Sequence, residues 1–206
     1  IIDINDDIVN EAVMVKSLSF NGTGDEHYNL LSAFQKSIRG SDPDAAIVYL
    51  AMLIKFGDIM SICRRLLVIA AEDIGLAYPQ AITITKSCVD AALQIGFPEA
   101  RIPLAEAVIM LATSPKSNTA YMAIDSAMRD IESLDIGEIP SYLKDGHYGG
   151  SKVLNNVNEY KYPHNFENSY VKQEYLPSGL KGKKYYNYGN NKIEKGVKAY
   201  WETIKK

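Results

Sequence analysis

Two arginines and two carboxylates interrupt an otherwise apolar, alanine-rich stretch, Arg64-Arg65-Leu66-Leu67-Val68-Ile69-Ala70-Ala71-Glu72-Asp73-Ile74-Gly75-Leu76-Ala77. Such charges are costly to bury unless paired, so the stretch is shaped for one specific arrangement. Arg65 and Glu72 stand seven positions apart, two helical turns, and therefore share a helix face with Leu66, Ile69 and Asp73 nearby. The spacing predicts an ion-pair network that fixes helix register within a bundle or across a subunit interface. The alternative chemistry is an arginine acting on a nucleotide or on DNA phosphate, because a guanidinium fork pairs bidentately with carboxylate or phosphate. Glu72 and Asp73 do not read as a metal or acid/base pair, since adjacent helical residues diverge by about 100°. A metal would need His27, His147 or His164 brought in from afar.

Two further clusters carry polar chemistry. Ser114-Pro115-Lys116-Ser117-Asn118 reads as a helix start, in which Ser or Asn satisfies free backbone N–H groups. A phosphate contact there, with Lys116 alongside, is the alternative. Lys161-Tyr162-Pro163-His164-Asn165-Phe166 joins a lysine to aromatic rings. Tyr162 and His164 are expected to pin a loop to the core, or the rings would stack on unpaired bases. No G-x-x-x-x-G-K-[ST] phosphate loop occurs in the chain. Its nearest approach, Gly179-Leu180-Lys181-Gly182-Lys183-Lys184, lacks the spacing and the hydroxyl residue. The chain is thus expected not to bind or hydrolyse ATP by itself. It begins Ile1-Ile2 without a methionine, which suggests a piece of a longer protein.

The 206 residues suffice for one domain with a real core, and 47% hydrophobic against 23% charged residues fits a globular chain. No apolar run reaches the length of a membrane span, and Asp3, Asp6 and Asp7 make the start too acidic for a targeting peptide. Cys63 and Cys88 sit among apolar helical neighbours and read as buried free thiols of a reducing cytoplasm. The net charge of −3 hides a strong asymmetry. Residues 1–143 hold 10 Lys/Arg against 19 Asp/Glu, whereas residues 144–206 hold 12 lysines against 6 acids. An acidic front half argues against a broad nucleic-acid groove there. The basic tail either binds nucleic acid or wraps over acidic helices of its own or a neighbouring subunit.

The elements that must position these residues are mostly helices. Asn5-Asp6-Asp7 caps a short helix carrying Ile8, Val9, Ala12, Val13 and Val15, before Asn21-Gly22-Thr23-Gly24. A second helix from Asp25 presents Tyr28, Leu31, Phe34 and Ile38 and ends at Arg39-Gly40. Asp42-Pro43 starts a third, which stops at Gly57, and Asp58 caps the Arg64-Arg65 helix. Tyr78-Pro79 opens a helix to Gly96, and Phe97-Pro98 leads into one that fades at Thr113. Ser114-Pro115 is read as the start of another, carrying Tyr121, Ile124, Met128 and Ile131. Short connectors favour antiparallel neighbours. Beyond Pro140 lies a segment holding nine of the 14 tyrosines between Tyr142 and Tyr188. Its aromatic content predicts order against the helices, and a last helix runs from near Lys192 to Ile204. The fold expected is all-α, a compact helical bundle with an irregular Tyr/Lys-rich C-terminal extension.

Taken together, the Arg64–Ala77 stretch, His27-Tyr28-Asn29, Ser114–Asn118 and Lys161–Phe166 resemble the C-terminal region of the RarA/MgsA replication-associated recombination ATPases, relatives of clamp-loader AAA+ proteins. The resemblance runs from about residue 25 to the C-terminus. It implies that residues 1–24 are the end of the AAA+ lid and a linker, 25–143 a helical oligomerisation domain, and 144–206 a wrapping extension with a terminal helix. It further implies a homotetramer acting with DNA ends or forks and single-strand-binding protein in the bacterial cytoplasm at the nucleoid. ATP and Mg would belong to an N-terminal AAA+ module outside this chain, and no cofactor, metal or catalytic residue is implied within it. Met52 departs from the family pattern by making Ala51-Met52-Leu53-Ile54 wholly apolar, which extends the core or enlarges a self-association surface. Arg64, Arg65, Glu72, Asp73, Met52, Asn118, Tyr162 and His164 are the structural and interface candidates. The competing reading is a DNA-binding module using Lys116, Lys161, Lys181, Lys183 and Lys184.

Overall fold

A computed structural model describes residues 24–144 and 160–205. The helix expected around Ile8–Val15, together with His147 and Tyr148, lies outside these residues. Within them the chain is helical, with no strand. Helix α1 spans Gly24–Arg39, α2 Pro43–Phe56, α3 Ile59–Ile69, α4 Ala81–Ile95, α5 Arg101–Thr113, α6 Thr119–Ser133 and α7 Lys192–Ile204. The punctuation behaves as its chemistry demands. Asp42 accepts from the Ala45 N–H at 2.9 Å ahead of Pro43, and Asp58 accepts from the Ser61 N–H at 3.0 Å. Gly57, with φ of 75°, closes α2 in the left-handed conformation that glycine adopts without a Cβ penalty.

Helices α1 to α5 form the core. Helix α2 packs on α1 and α5, α4 on α5, and α3 threads between α1 and α4. Phe34, Ile38, Leu53, Ile62, Leu66, Ile69, Leu104 and Leu111 are fully enclosed there. Cys63 and Cys88 are buried free thiols, as expected, and burial pushes both thiols above their ordinary pKa. Met52 also packs against this core.

Helix α6 departs from the expected start by several residues. Ser114 to Asn118 form an extended crossing instead of a first helical turn. The cause is tertiary: the Ser117 N–H donates to the Asp73 carbonyl at 2.8 Å, and the Lys116 ammonium turns back on α5. Beyond α6 the described part of the extension meets the segment that follows α6 and the last helix. Ser178 and Gly179 donate to the carbonyls of Glu138 and Ile136 at 3.0 Å each, and Leu180 is buried. Trp201 of α7 meets Tyr170 edge-on at 6.1 Å, with the Lys205 ammonium 4.9 Å above the indole.

Candidate functional site

The charged stretch of α3 does not continue as a plain α-helix. Ala70–Ile74 wind as one π-helical turn, followed by a 3-10 turn at Gly75–Ala77. The wider turn changes the facing of everything after it, so the seven-residue relation between Arg65 and Glu72 does not make an ion pair. Arg39, at the end of α1, takes both acids instead. Its Nη2 meets Glu72 Oε1 at 2.9 Å, and its Nε pairs with Asp73 Oδ1. Asp73 is buried, and this pairing meets the cost of its charge there. The acids therefore sit in an ion-pair network with Arg39, and the expected partners Arg64 and Arg65 take no part in it.

Arg65 is left with a 3.4 Å contact to the Gln35 side-chain oxygen, and Arg64 is exposed. Both line a cleft of about 520 Å³ between α1 and α3, shared with His27, Tyr28, Asp58 and Ser61. His27 Nε2 lies 3.0 Å from Asp58 Oδ2. The Asp58 carboxyl is held below its ordinary range by the Ser61 hydrogen bonds first and His27 second.

A second polar centre escaped the sequence reading. Glu194, on the first turn of α7, is 1% exposed and accepts five hydrogen bonds. Ser117 donates at 2.6 Å, Thr119 at 2.7 Å, Tyr186 at 2.9 Å and the Gly189 N–H at 3.0 Å, while the Asn191 amide supplies the fifth. Burial alone would raise this carboxyl, but the donors Ser117, Gly189, Thr119 and Asn191 outweigh it and hold it at about 2. Burial and the same carboxylate push Tyr186 up to about 12. An Asn-x-x-Glu capping pattern is visible at Asn191–Glu194 and predicts only a local helix start. Nothing near it in sequence signals the partners at Ser117 and Thr119.

The other expected residues are placed as follows. Asn118 occupies the N-cap of α6 without a side-chain capping bond. The Lys116 ammonium donates to the carbonyls of Leu111, Ala112 and Ser114 at 3.1, 3.0 and 2.6 Å, closing the C-terminus of α5. Tyr162 and His164 pack on each other at 5.1 Å and stay exposed with Lys161, so they do not pin a loop to the core. Lys183 lies 3.1 Å from Asp130 of α6, where Tyr185 also donates at 2.8 Å. Lys181 and Lys184 are exposed. Lys183 and Tyr185 thus bring one point of the basic tail onto Asp130 of α6.

Among the described residues two apolar surfaces are open. Helices α2 and α5 flank a groove of about 840 Å³ walled by Ile47, Ala51, Ile54, Phe97 and Ile102, with Lys55 and Arg101 among its lining residues. On α6, none of the 15 residues is buried. Tyr121, Ile124, Met128 and Ile131 are 44%, 58%, 49% and 54% exposed, an apolar stripe along one face of the helix.

A helical core, a carboxylate clasp that fastens the tail and open apolar faces define an all-helical domain. Residues 40–205 match the family model described as MgsA AAA+ ATPase C terminal, and residues 1–39 match that of the AAA C-terminal domain. The chain belongs to the MgsA AAA+ ATPase C-terminal family. It is 53% identical over 197 residues to the replication-associated recombination protein A of Bacillus subtilis, covering 95% of this chain and 47% of that relative. The proteins of the same name from Haemophilus influenzae and Escherichia coli are each 34% identical, over 96% and 95% of this chain and 45% and 44% of their own lengths. The chain thus spans under half the length of these relatives.

Proposed function

We propose that this chain is the self-association domain of a RarA-type AAA+ ATPase and assembles as a homotetramer. The observation that carries the reading is α6, which repeats Tyr121, Ile124, Met128 and Ile131 at helical spacing on a face left exposed among the described residues. Closed symmetry is the commonest use of such a surplus face. The α2/α5 groove supplies a second apolar surface, which a ring or a double pair of subunits requires. Met52, half-buried against the core, backs α2, while Ala51 and Ile54 line the groove.

In the longer protein, an AAA+ module would bind ATP and Mg and act on DNA ends or forks with single-strand-binding protein, in the cytoplasm at the nucleoid. This domain would gather several such modules into one assembly. Light scattering coupled to size exclusion tests the reading directly. The expected mass is four times 22.9 kDa at both low and high salt, because apolar contacts resist screening. A monomer at both salt concentrations would overturn it.

A further inference from the structure

We propose that the α2/α5 groove of one chain receives helix α6 of a second copy, so that each chain offers one helix and one groove and the contact runs head to tail. This contact rests on the self-association reading and names the two surfaces that meet. Eight of the ten residues lining the groove are apolar, and the two charged ones, Lys55 and Arg101, are both cations. Arg101 gives one N–H to the Pro98 carbonyl at 2.7 Å. Among the described residues neither cation meets a carboxylate, and both are exposed. The groove is thus an apolar trough with positive charge on both walls.

Helix α6 complements it in shape and in charge. The stripe from Tyr121 to Ile131 covers about 15 Å of helix, which fits between walls of 14 and 13 residues, about 20 Å each. At about 100° per residue, Asp125 and Glu132 fall along one edge of the stripe. Asp130 falls on the opposite face, where Lys183 and Tyr185 of its own chain hold it. Asp125 pairs at 3.0 Å with Arg129 on its own helix, and Glu132 has no ion-pair partner among the described residues. An apolar helix face seated in a groove supplies affinity, and opposite charges at the rim fix the partner and its register. Helix α7 is the contrast. It also exposes Ile193, Val197 and Tyr200, but it carries three lysines against Glu202 and the buried Glu194, which Lys55 and Arg101 would repel. Helix and groove are different patches, so the contact is heterologous and repeats until a ring closes. Closure after four copies leaves no helix stripe and no groove unfilled.

Two variants of the whole chain, each disabled at one surface, test the contact when mixed. Ile124→Lys with Met128→Lys blocks the helix, and Ile102→Lys blocks the groove. All three side chains are exposed, so both variants are expected to melt with the parent. Should Ile102→Lys fail to fold, Ala51→Lys blocks the same groove from the exposed side of α2. Alone, each variant should be a monomer in light scattering. Mixed in equal amounts, they should form a heterodimer of twice 22.9 kDa. The intact helix of one then fills the intact groove of the other, and no third chain can be added. A helix-to-helix or groove-to-groove contact allows no such rescue. Lys55→Glu with Arg101→Glu, placed in the chain whose groove is intact, should weaken the heterodimer about tenfold or more. The same pair placed in the chain whose groove is blocked should leave it unaltered. A tetrameric parent whose variants stay tetrameric, or do not pair when mixed, overturns this contact and leaves self-association standing. Equal effects of the glutamates in either chain also overturn it. A monomeric parent overturns both readings.

Discussion

Ser117 donates a 2.6 Å hydrogen bond to Glu194, joining residues 77 positions apart and fastening α7 to the crossing that leads into α6. Four other donors converge on the same carboxylate. A carboxylate is the one side chain that only accepts, which is what this cluster of donors demands. Glu194→Gln keeps the shape but removes the charge and turns an amide donor toward other donors. The expected cost is about 2–3 kcal/mol, seen as a lower melting temperature and faster amide exchange in α7. An unchanged exchange rate in α7 would show that the tail is held elsewhere.

The same clasp gives stability a pH dependence. Glu194 is held at about 2 in the folded chain, below its unfolded value. A lowered carboxyl contributes stability above the unfolded pKa and loses it as pH falls through the folded one. The contribution, about 3 kcal/mol at neutral pH, should therefore fade between about pH 4 and pH 2. Tyr186, raised to about 12, works in the opposite sense. Its share is full below the unfolded value near 10 and is lost as pH rises toward 12. Denaturant melts across pH check this: Glu194→Gln should flatten the acid limb, and Tyr186→Phe the alkaline one.

Arg39 and Arg65 offer a direct contrast. Removing Arg39 leaves Asp73 buried without its cation, a loss of about 2–4 kcal/mol. Arg65→Ala removes only a long contact to Gln35 and is expected to cost under about 1 kcal/mol. The pair of chemical denaturation curves settles which arginine anchors the network. Equal losses would restore the pairing that sequence spacing alone suggests.

That contrast marks where the sequence stops being informative. Asp42, Gly57, Asp58 and Gly96 delimit their helices by local chemistry, so the front half could be read from residue types and period. Local pattern also identified the stretch from Arg64 to Asp73 as special. It could not supply the π turn at Ala70–Ile74, because that turn coincides with tertiary contacts: Asp73 gives its carbonyl to Ser117 and its side chain to Arg39. Glu194 was hidden for the same reason. Its partners come from a crossing far away in sequence, and no periodicity records that encounter.

Gly75 lies at the end of this irregular turn, with φ of 44° and ψ of −127°. A Cβ there would stand 2.7 Å from the Ser117 carbonyl oxygen, a backbone atom of the residue whose own N–H is bonded to the Asp73 carbonyl. Gly75→Ala thus combines a backbone conformation unfavourable to L residues with a clash that no rotamer relieves. A loss of about 3 kcal/mol or more is expected. Gly196, with nothing within 4 Å of its added Cβ, is the internal control: Gly196→Ala lies in α7 and should be neutral or stabilising. A Gly75→Ala chain that melts with the parent would mean the crossing at Ser117 is free to move.

The α6 face provides the sharpest test of assembly. Ile124 and Met128 are four positions apart on one exposed stripe and take no part in the core. Changing both to lysine adds charge where a neighbouring subunit would need apolar contact, while a solvated helix tolerates it well. If α6 meets another copy, the double variant should fall from a tetramer to dimers or monomers in light scattering. Its secondary structure by circular dichroism should be unchanged. Buried interfacial charge without a partner costs several kcal/mol per site, enough to separate subunits at micromolar concentration. An unaltered mass would remove α6 from the interface and shift the assignment to the α2/α5 groove, where Ile102→Lys then becomes the decisive variant.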